Sequence, residues 1–147
     1  MLFSEHNNYY DGFYDYAGNI FNHSQYTQAN KYTQANKYSI TINVNRHTLI
    51  LFENGKIKKY YPIAVGKPST PTPKGIFKII NKAINPGGPF GVRWLGLSAP
   101  NGDYGIHGTN NPSSIGKSVS NGCIRMYNND ILEISNLVSV GTIVKII

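Results

Sequence analysis

From residue 38 onward, apolar and polar residues alternate in short runs. Ile40, Ile42 and Val44 are interleaved with Thr41, Asn43 and Asn45, the period-two pattern of a strand with one buried face. A turn around Asn45-Arg46-His47 returns the chain into a second run at 49–52. Asn54-Gly55 then gives a type I′ hairpin signal leading into 56–65, where Tyr61, Ile63 and Val65 share a face. The segment 66–73 contains three prolines, which cannot donate to a ladder, so it is expected as a loop. Further strands are expected at 75–80, 93–98, 103–107 and 142–147. The spacing of Ile131, Leu132, Ile134, Leu137 and Val138 predicts one helix over 129–138, with Asn128 or Asn129 as its cap. Short strands, frequent turns and a single helix make a mainly β domain, built as a closed or sandwiched sheet.

Before residue 38 the pattern is lost. Residues 1–37 hold six of the eleven tyrosines, many Asn and Gln, and almost no aliphatic run. They are expected as a flexible extension outside the core, followed by one domain over 38–147. The extension ends in a tandem hexapeptide, Tyr26-Thr27-Gln28-Ala29-Asn30-Lys31 and Tyr32-Thr33-Gln34-Ala35-Asn36-Lys37. Two copies are too few for a solenoid; they read as duplicated linker, or as a sticky or cross-linkable tail. No apolar run has the form of a signal-peptide core or the length of a membrane span.

Charge is uneven. Residues 38–147 carry twelve Lys or Arg against four acids, a balance that suits an anionic partner, including wall polymers. The cations are scattered and no nucleic-acid motif accompanies them, so nucleic acid is not expected. With only Glu53, Asp103, Asp130 and Glu133 in the domain, no pair of facing carboxylates for glycosidase chemistry is visible. One cysteine and four histidines without CxxC, HExxH or HxH spacing give no metal site. The phosphate-binding glycine motifs are missing as well, and no cofactor is expected.

What remains is Cys123, in Ser120-Asn121-Gly122-Cys123-Ile124-Arg125-Met126, sixteen residues after His107-Gly108-Thr109-Asn110. A lone cysteine is often a small buried hydrophobe. Here glycine and polar residues surround both Cys123 and His107, which suits loops that carry a site. A thiol nucleophile needs a base or oriented dipoles to become reactive; His107 can supply the first, and the Gly122 and Cys123 amides the second.

The ordered motifs Gly105-Ile106-His107-Gly108-Thr109-Asn110, Ile115-Gly116, Ser120 to Met126, Asp130 and Gly141-Thr142 closely resemble the catalytic half of the YkuD-type L,D-transpeptidases. Upstream, Ala64-Val65-Gly66-Lys67, Thr70-Pro71-Thr72-Pro73-Lys74-Gly75-Ile76-Phe77 and Asn85-Pro86-Gly87-Gly88-Pro89 resemble the first half. The resemblance implies a β-sandwich-like domain with a loop-borne cysteine that acts on peptidoglycan stem peptides. Cys123 would attack the L-centre carbonyl of the third residue of a tetrapeptide, releasing D-Ala, and an amine would resolve the thioester. Water in place of the amine would give an L,D-carboxypeptidase; a catalytically weak wall or spore-coat protein is the further alternative. The resemblance also implies that His107 is the base, oriented by a main-chain carbonyl near Gly108, and that a carbapenem acylates the thiol. Ser120, Asn121 and Gly122 would shape the oxyanion and substrate site, and Arg125 would hold a substrate carboxylate or brace the loop. Tyr104 and Trp94 are candidates for the cleft wall or for packing. Asn121 stands where many members carry His. Neither a wall-binding module nor an export signal is visible, so a cell-wall or spore-envelope location is expected to depend on the basic surface or the tail.

Overall fold

A computed structural model describes residues 12–14, 20–22 and 36–147. The chain divides into two units, Met1–Gln34 and Ala35–Ile147. In the first, β1 (Gly12–Tyr14) and β2 (Ile20–Asn22) pair antiparallel, with Phe13 opposite Phe21. The composition of this segment gave no sign of a hairpin. The expected flexibility of 1–37, and most of the tandem hexapeptide, fall outside the described residues.

The second unit is built on one eight-stranded sheet. Its strands, in chain order, are β3 (Tyr38–Asn43), β4 (Thr48–Glu53), β5 (Lys56–Pro62), β7 (Gly75–Ile84), β8 (Arg93–Leu97), β9 (Gly105–His107), β11 (Ile124–Arg125) and β12 (Ile143–Ile146). Their order across the sheet is β11-β9-β8-β7-β12-β3-β4-β5. The predicted Asn54-Gly55 turn closes β4 on β5, with φ of 50° and 78° at its two residues. β12 enters the middle of the sheet, parallel to β3 and antiparallel to β7. A second, two-stranded sheet pairs β6 (Val65–Gly66) with β10 (Ser118–Ser120) in parallel.

The run 56–65 was expected as one strand. It is instead divided after Pro62, because Ala64 leaves the β4 ladder and bridges to the far edge of the sheet. Ala64 N–H donates to Arg125 O at 2.9 Å, and Arg125 N–H donates to Ala64 O at 3.0 Å. The large sheet therefore curls until its ends meet, and the sandwich-like core lies inside the curl. Ile40, Ile42, Leu49, Leu51, Ile63, Leu95, Ile106, Ile124 and Val144 are all buried there.

The helix α1 (Asn128–Leu137) covers this core with Ile131 and Ile134. Neither Asn128 nor Asn129 caps it; Tyr127 occupies the cap position without a side-chain cap bond. Asn128 is engaged elsewhere, accepting the Thr109 N–H at 3.1 Å and donating to Thr109 O at 3.0 Å. It thereby ties the start of α1 to the loop that follows His107. At the other end, Lys82 donates to the Ser135 and Val138 carbonyls at 2.5 and 2.9 Å, satisfying orphan acceptors of the last turn. Glu133 accepts from Tyr61 Oη at 2.6 Å and from Lys59 at 3.0 Å, so this acid braces α1 against β5.

β7 runs on to Ile84, beyond the expected end at residue 80. It carries a bulge: Ile79 lies opposite Leu97, but Asn81 lies opposite Gly96. None of the described helices is long and apolar enough to cross a membrane.

Candidate active site

The site forms on the outer face of three neighbouring strands, and register explains why its residues meet. Trp94 on β8 lies opposite His107 on β9, and His107 lies opposite Arg125 on β11. Successive side chains on a strand point to opposite faces, and the residues between these, Leu95, Ile106 and Ile124, fill the core. One step along, Gly96 pairs with Gly105, and Cys123 precedes β11 beside Gly105. Having no side chains, these two glycines let the Asn81 amide and the Trp94 indole lie close against the backbone next to the cysteine. Gly105 is also required by Trp94, because a Cβ at that position would stand 2.6 Å from the indole ring.

His107 is buried, at 3% exposure. Its Nδ1 lies 2.5 Å from Gly108 O. A carbonyl can only accept, so Nδ1 carries the proton and Nε2 is left with its lone pair. The indole of Trp94 stacks on the imidazole with centroids 5.6 Å apart and planes 16° apart, and Phe90 stands edge-on to it at 5.1 Å.

Cys123 follows the bend at Asn121-Gly122 that separates β10 from β11. Its thiol donates to Asp103 O at 3.6 Å. Gly122 has φ of 121°, and a Cβ there would lie 2.6 Å from the Tyr104 ring. Glycine is needed on both counts. Ser120 is buried and shapes the bend from inside: its Oγ donates to Cys123 O at 2.6 Å and accepts the Gly122 N–H at 3.0 Å. In the free protein the Gly122 N–H, expected to face an oxyanion, is thus paired with an acceptor. Among the described residues, the Cys123 N–H has none.

The proline-rich loop 66–73 clamps the same bend. Ser120 O accepts from Lys67 N–H at 3.0 Å and from Thr70 Oγ1 at 2.8 Å. Thr72 is 3% exposed; its Oγ1 donates to Gly122 O at 2.9 Å and accepts the Gly66 N–H at 2.9 Å. Thr72→Val keeps the shape but leaves two buried backbone groups unpaired. The expected loss of stability is about 1–3 kcal/mol, read by denaturant unfolding, together with slower acylation of Cys123. A variant as stable and as fast as the parent would show that the clamp does no work.

Electrostatics set the resting state of the pair. Burial pushes the His107 imidazole below its ordinary 6.5; the Gly108 carbonyl opposes this and the Arg125 charge adds to it. Burial pushes the Cys123 thiol above 9.0, against the lowering effect of the Gly105 amide and of Arg125. At neutral pH the site therefore holds a thiol and a neutral imidazole, not a preformed ion pair. Arg125 makes no ion pair among the described residues. No group of three His, Cys, Asp or Glu among them could hold a metal ion.

Two clefts open on either side of Tyr104. One, of about 410 Å³, is lined by Phe90, Trp94, Leu97 and Asp103; the other, of about 580 Å³, by Thr70, Pro71, Lys74 and Asn121. The sequence pattern singled out neither Phe90 nor Asn81, which touch His107 and Trp94, gave no role to Thr70 or Thr72, and offered Asn128 only as a helix cap. The Thr-Pro-Thr-Pro string was the one available signal for the clamp.

The structure thus sets a cysteine on a bend and a carbonyl-held histidine on neighbouring strands of a curled sheet. The L,D-transpeptidase catalytic domain (YkuD) family matches residues 37–146, and the chain belongs to this family. Over 107 residues it is 58% identical to the putative L,D-transpeptidase YkuD of Bacillus licheniformis and 56% identical to that of Bacillus subtilis. The match spans 73% of this chain but only 64% of each relative. Among solved structures, L,D-transpeptidase 3 from Mycobacterium tuberculosis with a faropenem-derived adduct shares the fold, with a TM-score of 0.65 at 18% identity over 75% of this chain and 60% of that one.

Proposed function

We propose that this chain is a peptidoglycan L,D-transpeptidase with Cys123 as nucleophile. The observation that carries the reading is the His107 imidazole, fixed through Nδ1 by Gly108 O with Nε2 free, on the same sheet face as the thiol. This gives an acyl-transfer base that needs no carboxylate partner. The third residue of a tetrapeptide stem places its L-centre carbonyl over Cys123. As sulfur attacks, His107 Nε2 takes the thiol proton and the Cys123 N–H faces the developing oxyanion. The tetrahedral species collapses; the C–N bond to D-Ala breaks, and the departing amine takes the proton from His107. An acceptor amine then attacks the thioester, His107 removes its surplus proton, and the thiol is regenerated with that proton.

Two clefts meeting at Tyr104 suit a reaction with a donor and an acceptor. Lys74 in one, and the Arg125 guanidinium, which has no ion-pair partner among the described residues, are suited to the carboxylates of stem peptides. The basic balance of the domain supports retention on anionic wall polymers, and the Tyr/Gln/Lys-rich extension supports attachment to a wall or spore envelope.

The test is incubation with defined tetrapeptide muropeptides and mass analysis. Cross-linked or exchanged products with loss of D-Ala are expected, whereas tripeptides alone would make water the acceptor. A carbapenem is expected to leave one adduct on Cys123 by peptide mapping; an adduct on lysine, or none, would overturn the alignment of thiol and oxyanion donor.

A further inference from the structure

We propose that Asn81 is a positioning residue for His107 and acts through the indole of Trp94. The inference rests on the reading of His107 as the base. It starts from the bulge in β7. Ile79 is buried against the core, and uninterrupted alternation would turn Asn81 inward as well. The extra residue between the Ile79–Leu97 and Asn81–Gly96 pairs re-aims Asn81 onto the outer face, a recognised use of bulges beside sites. Gly96 has no side chain to oppose it, and the Asn81 amide lies directly over that glycine.

There Asn81 Oδ1 accepts the Trp94 Nε1–H at 3.0 Å. An indole only donates, so the amide oxygen must face it. Trp94 in turn stacks on His107, and Phe90 closes the corner edge-on to both rings, at 5.5 Å from Trp94 and 5.1 Å from His107. The two restraints on the imidazole are complementary. Gly108 O fixes which ring edge points inward, and the indole plane fixes the tilt, so together they aim Nε2. Asn81 is open to solvent in the free protein but lines the aromatic cleft. A bound substrate would exclude water from its hydrogen bond and strengthen it.

The test uses the full chain. Asn81→Ala is expected to slow single-turnover acylation of Cys123 roughly tenfold, the size of one lost neutral hydrogen bond, with the thermal midpoint little changed. The chain has one tryptophan, so its indole N–H gives one resonance by NMR; this should move in Asn81→Ala, as should the His107 ring signals. Trp94→Phe keeps a stacking ring and removes the donor. If Asn81 acts through the indole, adding Asn81→Ala to Trp94→Phe should cost nothing further. Additive losses would assign Asn81 to direct substrate contact, and unchanged His107 signals would remove the coupling; either result overturns the proposal. A His107→Ala protein that acylates at the parent rate would instead refute the base assignment, while the NMR shifts would still report the Asn81–Trp94–His107 contact.

Discussion

Cys123→Ala is expected to abolish release of D-Ala and β-lactam labelling while the protein stays folded. The two effects separate because the sulfur makes only a weak hydrogen bond to Asp103 O at 3.6 Å, whereas the bend that carries it is held by other groups. Ser120, Thr70 and Thr72 fix the backbone on both sides of residue 123, and none of them contacts the thiol. Removing one partly exposed sulfur should change stability by no more than about 1 kcal/mol. No other side chain can take its place, since the chain has no second cysteine. Residual turnover of tetrapeptide stems by a folded Cys123→Ala protein, measured by mass analysis, would end the thiol mechanism.

The second large effect belongs to His107. Because burial holds the thiol above 9.0 and the imidazole below 6.5, the proton must move during attack, and the base is needed throughout the neutral range. His107→Ala is expected to slow acylation at pH 7 by about 10²–10⁴-fold. The pH profiles should differ in form. In the parent enzyme the rate falls on the acid side, below 6.5, where the imidazole takes a proton and stops accepting. In the variant the rate should climb with pH toward the raised thiol value, because only the rare thiolate can react. Single-turnover acylation across pH 5–10 checks this. Parallel profiles for the two proteins would mean that His107 is not the base.

Much of this site can be read from the sequence, for a physical reason. The proposed chemistry rests on residue types with few substitutes: one thiol, one imidazole and the glycines at 105, 108 and 122. The regular hairpin at Asn54-Gly55 and the apolar stripe of α1 are equally local signals. The rest depends on contacts that the residue types alone do not announce. Asn128 has the composition of a helix cap, yet the Thr109 backbone, nineteen residues away, offers it two bonds in place of the cap. Gly122 has the position of an oxyanion donor, and in the free protein its N–H is held by the Ser120 hydroxyl two residues back. The bulge in β7 leaves no mark on the alternation, because Ile79, Ile80 and Asn81 read the same whether or not a residue is inserted into the ladder. Its effect on Asn81 appears only once Gly96 is seen opposite.

The central place of β12 has a consequence for when the enzyme can first act. Residues 143–146 separate β7 from β3, so until they enter, the strands on either side can meet only through the Ala64–Arg125 bridge and the β6–β10 pair. Pairings so distant in sequence form late, after costly loop closure. Under the proposed mechanism, Cys123 would gain its full setting only once residues 143–146 have entered between β7 and β3.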